Sequence, residues 1–149
     1  MSSVVHDSFA IERNYLFPPD RVFAAWASLE TKSQWFGDDE VEKIGEHSLE
    51  FRPGGREHLS GVAGGMEFDF DAIYHDIVQD SRIVWSYEMH LNGTRISVSV
   101  GTVELTGVPG GTKLVMTEQG AFLDGLDNNE ARRGGTEELL NNLGKYLGG

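Results

Sequence analysis

The stretch RIVWSYEMHLNGTRISVSVGTVEL, residues 82–105, decides how the rest of the chain is read. Ile83, Trp85, Tyr87, Met89 and Leu91 alternate with more polar residues, the period of a strand with one apolar face. Asn92-Gly93 then supplies the two left-handed positions of a tight hairpin turn. Ile96, Val98 and Val100 alternate in turn, and the phase is expected to shift at Gly101. Two strands joined by two residues must be antiparallel.

Outward from this hairpin, the pattern repeats. EHSLEFRPGGREHLSGV (46–62) has a Pro53-Gly54-Gly55 turn between two strands. In GMEFDFDAIYHDIV (65–78), Met66, Phe68 and Phe70 oppose Glu67, Asp69 and Asp71, and the phase blurs near Ala72 to Tyr74, which suggests a bulge. GGTKLVMTEQGAF (110–122) sets Leu114 and Met116 against Lys113, Val115 and Thr117. Before the meander, HDSFAIERNYLF (6–17) reads as a first strand, with Phe9 and Ile11 and then Tyr15 and Phe17 as its apolar positions. Two prolines followed by Asp20 open a helix carrying Val22, Phe23 and Trp26 at helical spacing, and LETKSQWFG (29–37) reads as a second short helix ended by Gly37.

The chain ends in a long helix that begins after Asn128 or Asn129, either of which can cap it. Leu139, Leu140, Leu143, Tyr146 and Leu147 form its apolar stripe. Gly134 and Gly135 interrupt it, each at a cost of roughly 1 kcal/mol relative to alanine. Ala131, Arg132, Gly135 and Thr136 fall at inward positions, where Gly135 leaves room above the sheet and Arg132 can reach out to solvent, and Gly134 faces outward and weakens or bends the helix. A curved antiparallel sheet with one apolar face, covered by one long helix, is an α+β domain. We read residues 1–149 as a single domain with a core over about 8–147.

Composition narrows the function. A net charge of −12 disfavours nucleic-acid binding and docking on anionic lipid. The absence of cysteine excludes disulfides, thiolate chemistry and cysteine-bound zinc. No secretory signal and no run of roughly 18 apolar residues is present, so a cytoplasmic protein without membrane insertion is the default expectation. His6, His47, His58, His75 and His90 form no HExxH or His-x-His pair and are read as surface residues. The sequence therefore calls for no metal and no cofactor. No GxSxG elbow occurs, and the Gly-rich pieces lack P-loop spacing and read as hairpin turns.

Two carboxylates stand out by their phase. Glu118 shares a face with Leu114 and Met116, where burial would raise its pKa and suit it to acid–base work or to anchoring a polar ligand group. Glu57 shares a face with Leu59 and is a second inward candidate, whereas Asp69 and Asp71 lie on the solvent side. Trp35, Phe36, Phe68, Phe70, Trp85 and Tyr87 either line a pocket or fill a core.

IERNYLFPPDRVFAAWASLE (11–30), QWFG (34–37), EFRPGGR (50–56), SRIVWSYE (81–88), GGTKLVMTEQGAF (110–122) and GTEELLNNLGKYL (135–147) together resemble the SRPBCC superfamily, with its START-like or helix-grip fold. Within it the chain is most similar to bacterial homologues of the activator of the heat-shock protein 90 ATPase. The resemblance spans Phe9 to Leu147 and implies about seven strands gripping the last helix, with an apolar cavity between them. Relatives use that cavity to bind lipids, hormones or polyketides, some cyclise or dehydrate substrates there, and others regulate chaperones. The chain departs from the family pattern at Thr136, where Trp is common, and at Glu57, where an aromatic is common.

Together these readings favour a binding protein over an enzyme. The expected ligand is a small apolar or amphipathic molecule, held by Trp85, Tyr87, Met89, Val98, Met116, Glu118, Gly135, Thr136 and Leu139. The alternatives are a chaperone-regulating interaction module and a polyketide cyclase- or dehydratase-like enzyme with Glu118 as its acid or base. A chaperone and a second copy of the chain, as a homodimer, are the further partners left open.

Overall fold

The structure is a computed structural model that describes residues 2–37 and 41–148. The bounds of the expected domain at Met1 and Gly149 lie outside the described residues. The elements are β1 (Val4–Tyr15), α1 (Pro19–Trp26), α2 (Leu29–Lys32), β2 (Val41–Leu49), β3 (Arg56–Ala63), β4 (Met66–Val78), β5 (Arg82–Leu91), β6 (Thr94–Val108), β7 (Gly111–Leu123) and α3 (Asn129–Gly148). The strands form one seven-stranded sheet in the order β1-β7-β6-β5-β4-β3-β2, with every pair antiparallel. From β2 to β7 the sheet is a meander of hairpins. β1 stands at the opposite edge from β2, joined to it through the helices.

Local chemistry explains the boundaries. Pro18 has φ −68° and ψ 160°, an extended residue whose carbonyl accepts from the N–H groups of Arg21 and Val22 and so starts α1. Ser28 caps α2, its hydroxyl oxygen accepting from the Thr31 N–H at 3.3 Å. This helix is shorter than the sequence suggests, and residues 33–35 continue only as turns. Asn128 caps α3, its side-chain oxygen accepting from the Ala131 N–H at 2.8 Å. Gly93 (φ 81°) and Asn92 (φ 48°) take the left-handed turn positions read for them.

Leu140, Leu143 and Leu147 of α3 are buried in the same core as Phe9, Ile11, Val22, Trp26, Leu114 and Met116. The Tyr15 hydroxyl donates to the Leu140 carbonyl at 2.7 Å and ties β1 to the middle of α3. The Arg21 guanidinium donates to the Leu147 carbonyl at 3.1 Å, satisfying an open group of the last turn. Tyr146, expected in the apolar stripe, is instead 36% exposed. Leu140, Leu143 and Leu147 follow the three-and-four spacing of one face, and Tyr146 lies about 100° around the helix from Leu147.

Two strand phases differ from the sequence reading. In β4, Phe68, Phe70, Ala72 and Tyr74 stay in phase and are all buried. The bulge comes just after them, where Tyr74 pairs with Trp85 and Asp76 with Val84, leaving His75 as the extra residue. In β6 the phase shift lies at Ile96, where Met89 pairs with Ser97 and His90 with Arg95. Ser97 to Val100 are turned over relative to expectation, and no second shift occurs at Gly101, so Val103 and Leu105 still face inward. Ser97 and Ser99 face inward, and Val98 is 39% exposed on the outer face.

Candidate functional site

The inner face of β6 presents Ser97, Ser99 and Gly101, and these pair with Met89, Tyr87 and Trp85 of β5. Large side chains therefore stand opposite small ones across one strand pair. At Gly101 the fit is tight: a Cβ there would come within 2.6 Å of two Trp85 ring carbons. The volume left beneath α3 is a cavity of about 320 Å³.

Its wall comes from several elements. β5 supplies Trp85, Tyr87, Met89 and Leu91, β7 supplies Met116 and Glu118, and α3 supplies Arg132, Gly135, Thr136 and Leu139. Phe36 after α2, Leu59 of β3, and Phe68 and Phe70 of β4 complete the apolar side. The mouth includes the β3–β4 hairpin at Ala63, Gly64 and Met66. Of the nine ligand-contact positions read from the sequence, eight line this cavity. The exception is Val98, which the β6 bulge turns to the opposite face of the sheet. Arg132, expected to reach solvent, lines the cavity as well. Its Nε lies 3.2 Å from Oδ2 of Asp127, a carboxylate only 4% exposed, while the Arg132 side chain itself keeps 26% exposure.

One polar cluster interrupts the apolar wall. Glu118 is 4% exposed. The Tyr87 hydroxyl donates to its Oε1, and the Thr136 hydroxyl donates to its Oε2 at 2.9 Å. Burial pushes the Glu118 carboxyl above its ordinary range, against the two hydroxyl donors and the Arg132 charge, which favour the ionised form. Burial, and then the adjacent Glu118 charge, hold the Tyr87 phenol far up. Tyr87 is thus a donor and not a base. The cluster can orient a ligand group or exchange a proton through Glu118.

A second polar cluster lies behind the wall, and half of it was not legible in the sequence. Glu57 faces inward as expected, and Lys32 meets it, its Nζ 2.6 Å from Oε1. The Tyr74 hydroxyl donates to the same oxygen at 2.6 Å, and Lys32 also donates to Tyr74 at 3.1 Å. His47 bonds to Oε2 at 2.8 Å and stacks on Phe36. His47 is therefore not the surface residue expected. Register irregularities at Val41/Lys43 and Ile44/Glu46 break the alternation of β2 just before it. The Lys32 ammonium sits among the rings of Phe36, Trp26, Tyr74 and Trp85, at 4.2, 5.5, 5.8 and 6.0 Å from their centroids. Burial alone would raise the Glu57 pKa; the Lys32 charge and the His47, Lys32 and Tyr74 bonds outweigh it and hold the carboxyl at about 2. The one signal in the sequence was Glu57 itself, since a buried carboxylate needs a cation.

On the outer face, His58 bridges three strands, with Nδ1 2.7 Å from Glu46 and Nε2 2.9 Å from Asp69. Among the described residues, no group of three or more His, Asp or Glu is arranged to hold a metal ion. None of their helices is long and apolar enough to cross a membrane.

The family model described as "Activator of Hsp90 ATPase homolog 1-like protein" matches residues 16–148. The chain belongs to that family. An uncharacterised protein of Rhizobium leguminosarum has a similar solved structure, with TM-score 0.93 and 44% identity over 99% of this chain and 97% of that one. The Mll3558 protein of Rhizobium loti is similar at TM-score 0.89 and 45% identity, over 97% of this chain and 99% of that one. At 12% identity, the crystal structure of Ara h 8.0201 still gives a TM-score of 0.71, over 96% of this chain and 98% of that one, and so shares the fold. The fold of this activator-homologue chain is the Bet v 1-like helix-grip fold of the SRPBCC superfamily. The search of curated proteins returned no match.

Proposed function

We propose that this activator-homologue protein binds a small apolar or amphipathic molecule in the cavity beneath α3. The observation that carries this reading is the combination of an apolar, aromatic- and methionine-rich wall with one buried polar cluster, Glu118 with Tyr87 and Thr136. Small-molecule sites have this character, a mostly apolar pocket with few convergent polar groups, and about 320 Å³ is within their range. Gly135 and Thr136 keep the roof thin, and Thr136 stands where the family resemblance implies Trp.

The test is titration with the neutral fluorescent dye prodan, whose emission shifts in an apolar site. Binding to the wild type is expected, with affinity reduced about tenfold or more by Thr136→Trp, which would fill the cavity. Val98→Ala, on the outer face, is expected to bind as the wild type does. Equal binding by Thr136→Trp would place the dye elsewhere and remove the reading. Native mass spectrometry of the purified protein then searches for a retained natural ligand.

The family description supports a second reading, a module that engages a heat-shock protein 90-type chaperone. Stimulation of such a chaperone's ATPase by the purified protein would favour it. Stimulation that survives Thr136→Trp would separate that role from the cavity.

A further inference from the structure

We infer that the ligand is an amphipathic amine, its ammonium seated on Glu118 and its apolar body along the wall of Phe70, Trp85, Met89 and Met116. This rests on the ligand-binding reading above and specifies the chemistry of the head group.

The first argument is hydrogen-bond inventory. Tyr87 and Thr136 spend their single hydroxyl protons on Glu118, one to each carboxylate oxygen. With Glu118 ionised, the cluster has only acceptor lone pairs left to offer a ligand. A ligand carbonyl or carboxylate would bring only more lone pairs. An ammonium brings three donors and no acceptor.

The second argument is charge. Arg132 is the one cation among the described residues that line the cavity, and no lysine or histidine joins it. Arg132 is already engaged by buried Asp127 at 3.2 Å. Two buried carboxylates therefore share one guanidinium, so Glu118 has no full counter-charge when ionised, and an arriving cation would favour the ionised form that burial opposes. A buried carboxylate without a cation is costly, so a cation arriving there is strongly favoured. The net charge of −12 raises the local concentration of cations around the protein.

The third argument is internal precedent. Glu57 and Tyr74 form the same pair as Glu118 and Tyr87, a buried carboxylate accepting from a tyrosine hydroxyl. At Glu57 the chain completes the pair with its own ammonium, Lys32 Nζ, ringed by aromatic side chains. At Glu118 the rings of Tyr87 and Phe70 stand 4.9 Å apart, and the ammonium position opens into the cavity. The chain supplies the cation at one site and leaves it to a ligand at the other.

The experiment compares three molecules with one apolar body: adamantylmethylamine, adamantylmethanol and adamantanecarboxylate. Affinities for the full chain are measured by calorimetry at neutral pH and low salt. The amine is expected to bind about tenfold or more tighter than the alcohol, as a charge-assisted hydrogen bond to a buried partner implies, and the carboxylate to bind weakest. Glu118→Gln is expected to abolish the preference of amine over alcohol. The wild-type series decides the matter even if that variant does not fold. An alcohol that binds as tightly as the amine, or a carboxylate that binds best, overturns the proposal. So does an amine that fails to bind while prodan still binds. Failure of prodan and all three molecules together overturns the ligand-binding reading itself.

Discussion

Lys32 Nζ lies 2.6 Å from Glu57 Oε1, and both side chains are almost wholly removed from solvent. The pair joins α2 to β3 directly behind the cavity wall, with Phe36 and Trp85 between it and the cavity. Removing one partner strands the other charge. Lys32→Met is therefore expected to destabilise the fold by about 3–5 kcal/mol. The double variant Lys32→Met with Glu57→Leu is expected to lose less than the sum of the two single variants. A double-mutant cycle by urea unfolding measures the coupling.

The same carboxylate gives an acid limb. Glu57 is held at about 2, below its ordinary 4.5, so the folded state binds its proton less readily than the unfolded state. The resulting stabilisation is complete above about pH 4.5 and is lost as pH falls toward 2. Urea midpoints measured across that window should fall steeply for the wild type. Glu57→Gln, less stable throughout, should show a flatter curve there.

His58 acts with the opposite sign. The Glu46 hydrogen bond, then the Asp69 bond and the nearby acidic charges, raise its pKa above 6.5 against the lowering effect of burial. Its contribution is therefore fully present below about pH 6.5 and disappears as pH rises through the raised value. The effect is modest because the ring is 30% exposed and screened. His58→Gln is expected to remove the decline in thermal midpoint on the neutral-to-alkaline side while leaving the acid limb in place.

Gly101→Ala should report on the wall itself. The new methyl group would enter the Trp85 ring, and the indole must move toward the cavity or toward Trp26, whose ring lies 5.9 Å away. A destabilisation of about 1–3 kcal/mol is expected from such overpacking. The shift of tryptophan fluorescence and weaker prodan binding would accompany it.

Much of this was legible because strand alternation and turn residues agree over most of the chain. The β5 strand with its Asn92-Gly93 turn, the inward run Leu114, Met116 and Glu118, and Leu140, Leu143 and Leu147 of α3 fall where their period puts them. The β6 face was not legible, and the reason is physical. Ile96 to Val100 alternates apolar with hydroxyl residues, so hydropathy assigns the valines to the core. One bulge at Ile96 inverts that assignment, and the serines go inside because β5 places Met89 and Tyr87 opposite them. Lys32 is not legible for another reason. It is drawn inward by a single distant carboxylate, Glu57, and a pairing of that kind leaves no periodic trace.

The sheet order carries a consequence for how the chain folds. Each neighbouring pair from β2 to β7 is a hairpin, closed over a few residues. The β1–β7 pair is the exception, setting Val4 against Leu123 and Phe9 against Glu118. Closing so long a loop costs entropy that the hairpins do not face, and non-local pairings of this kind slow folding. β1 is expected to dock after the meander has formed, with mutations at Phe9 and Ile11 speeding unfolding more than they slow folding. The first of the seven strands to be synthesised would then be the last to take its place, beside the strand that carries Glu118.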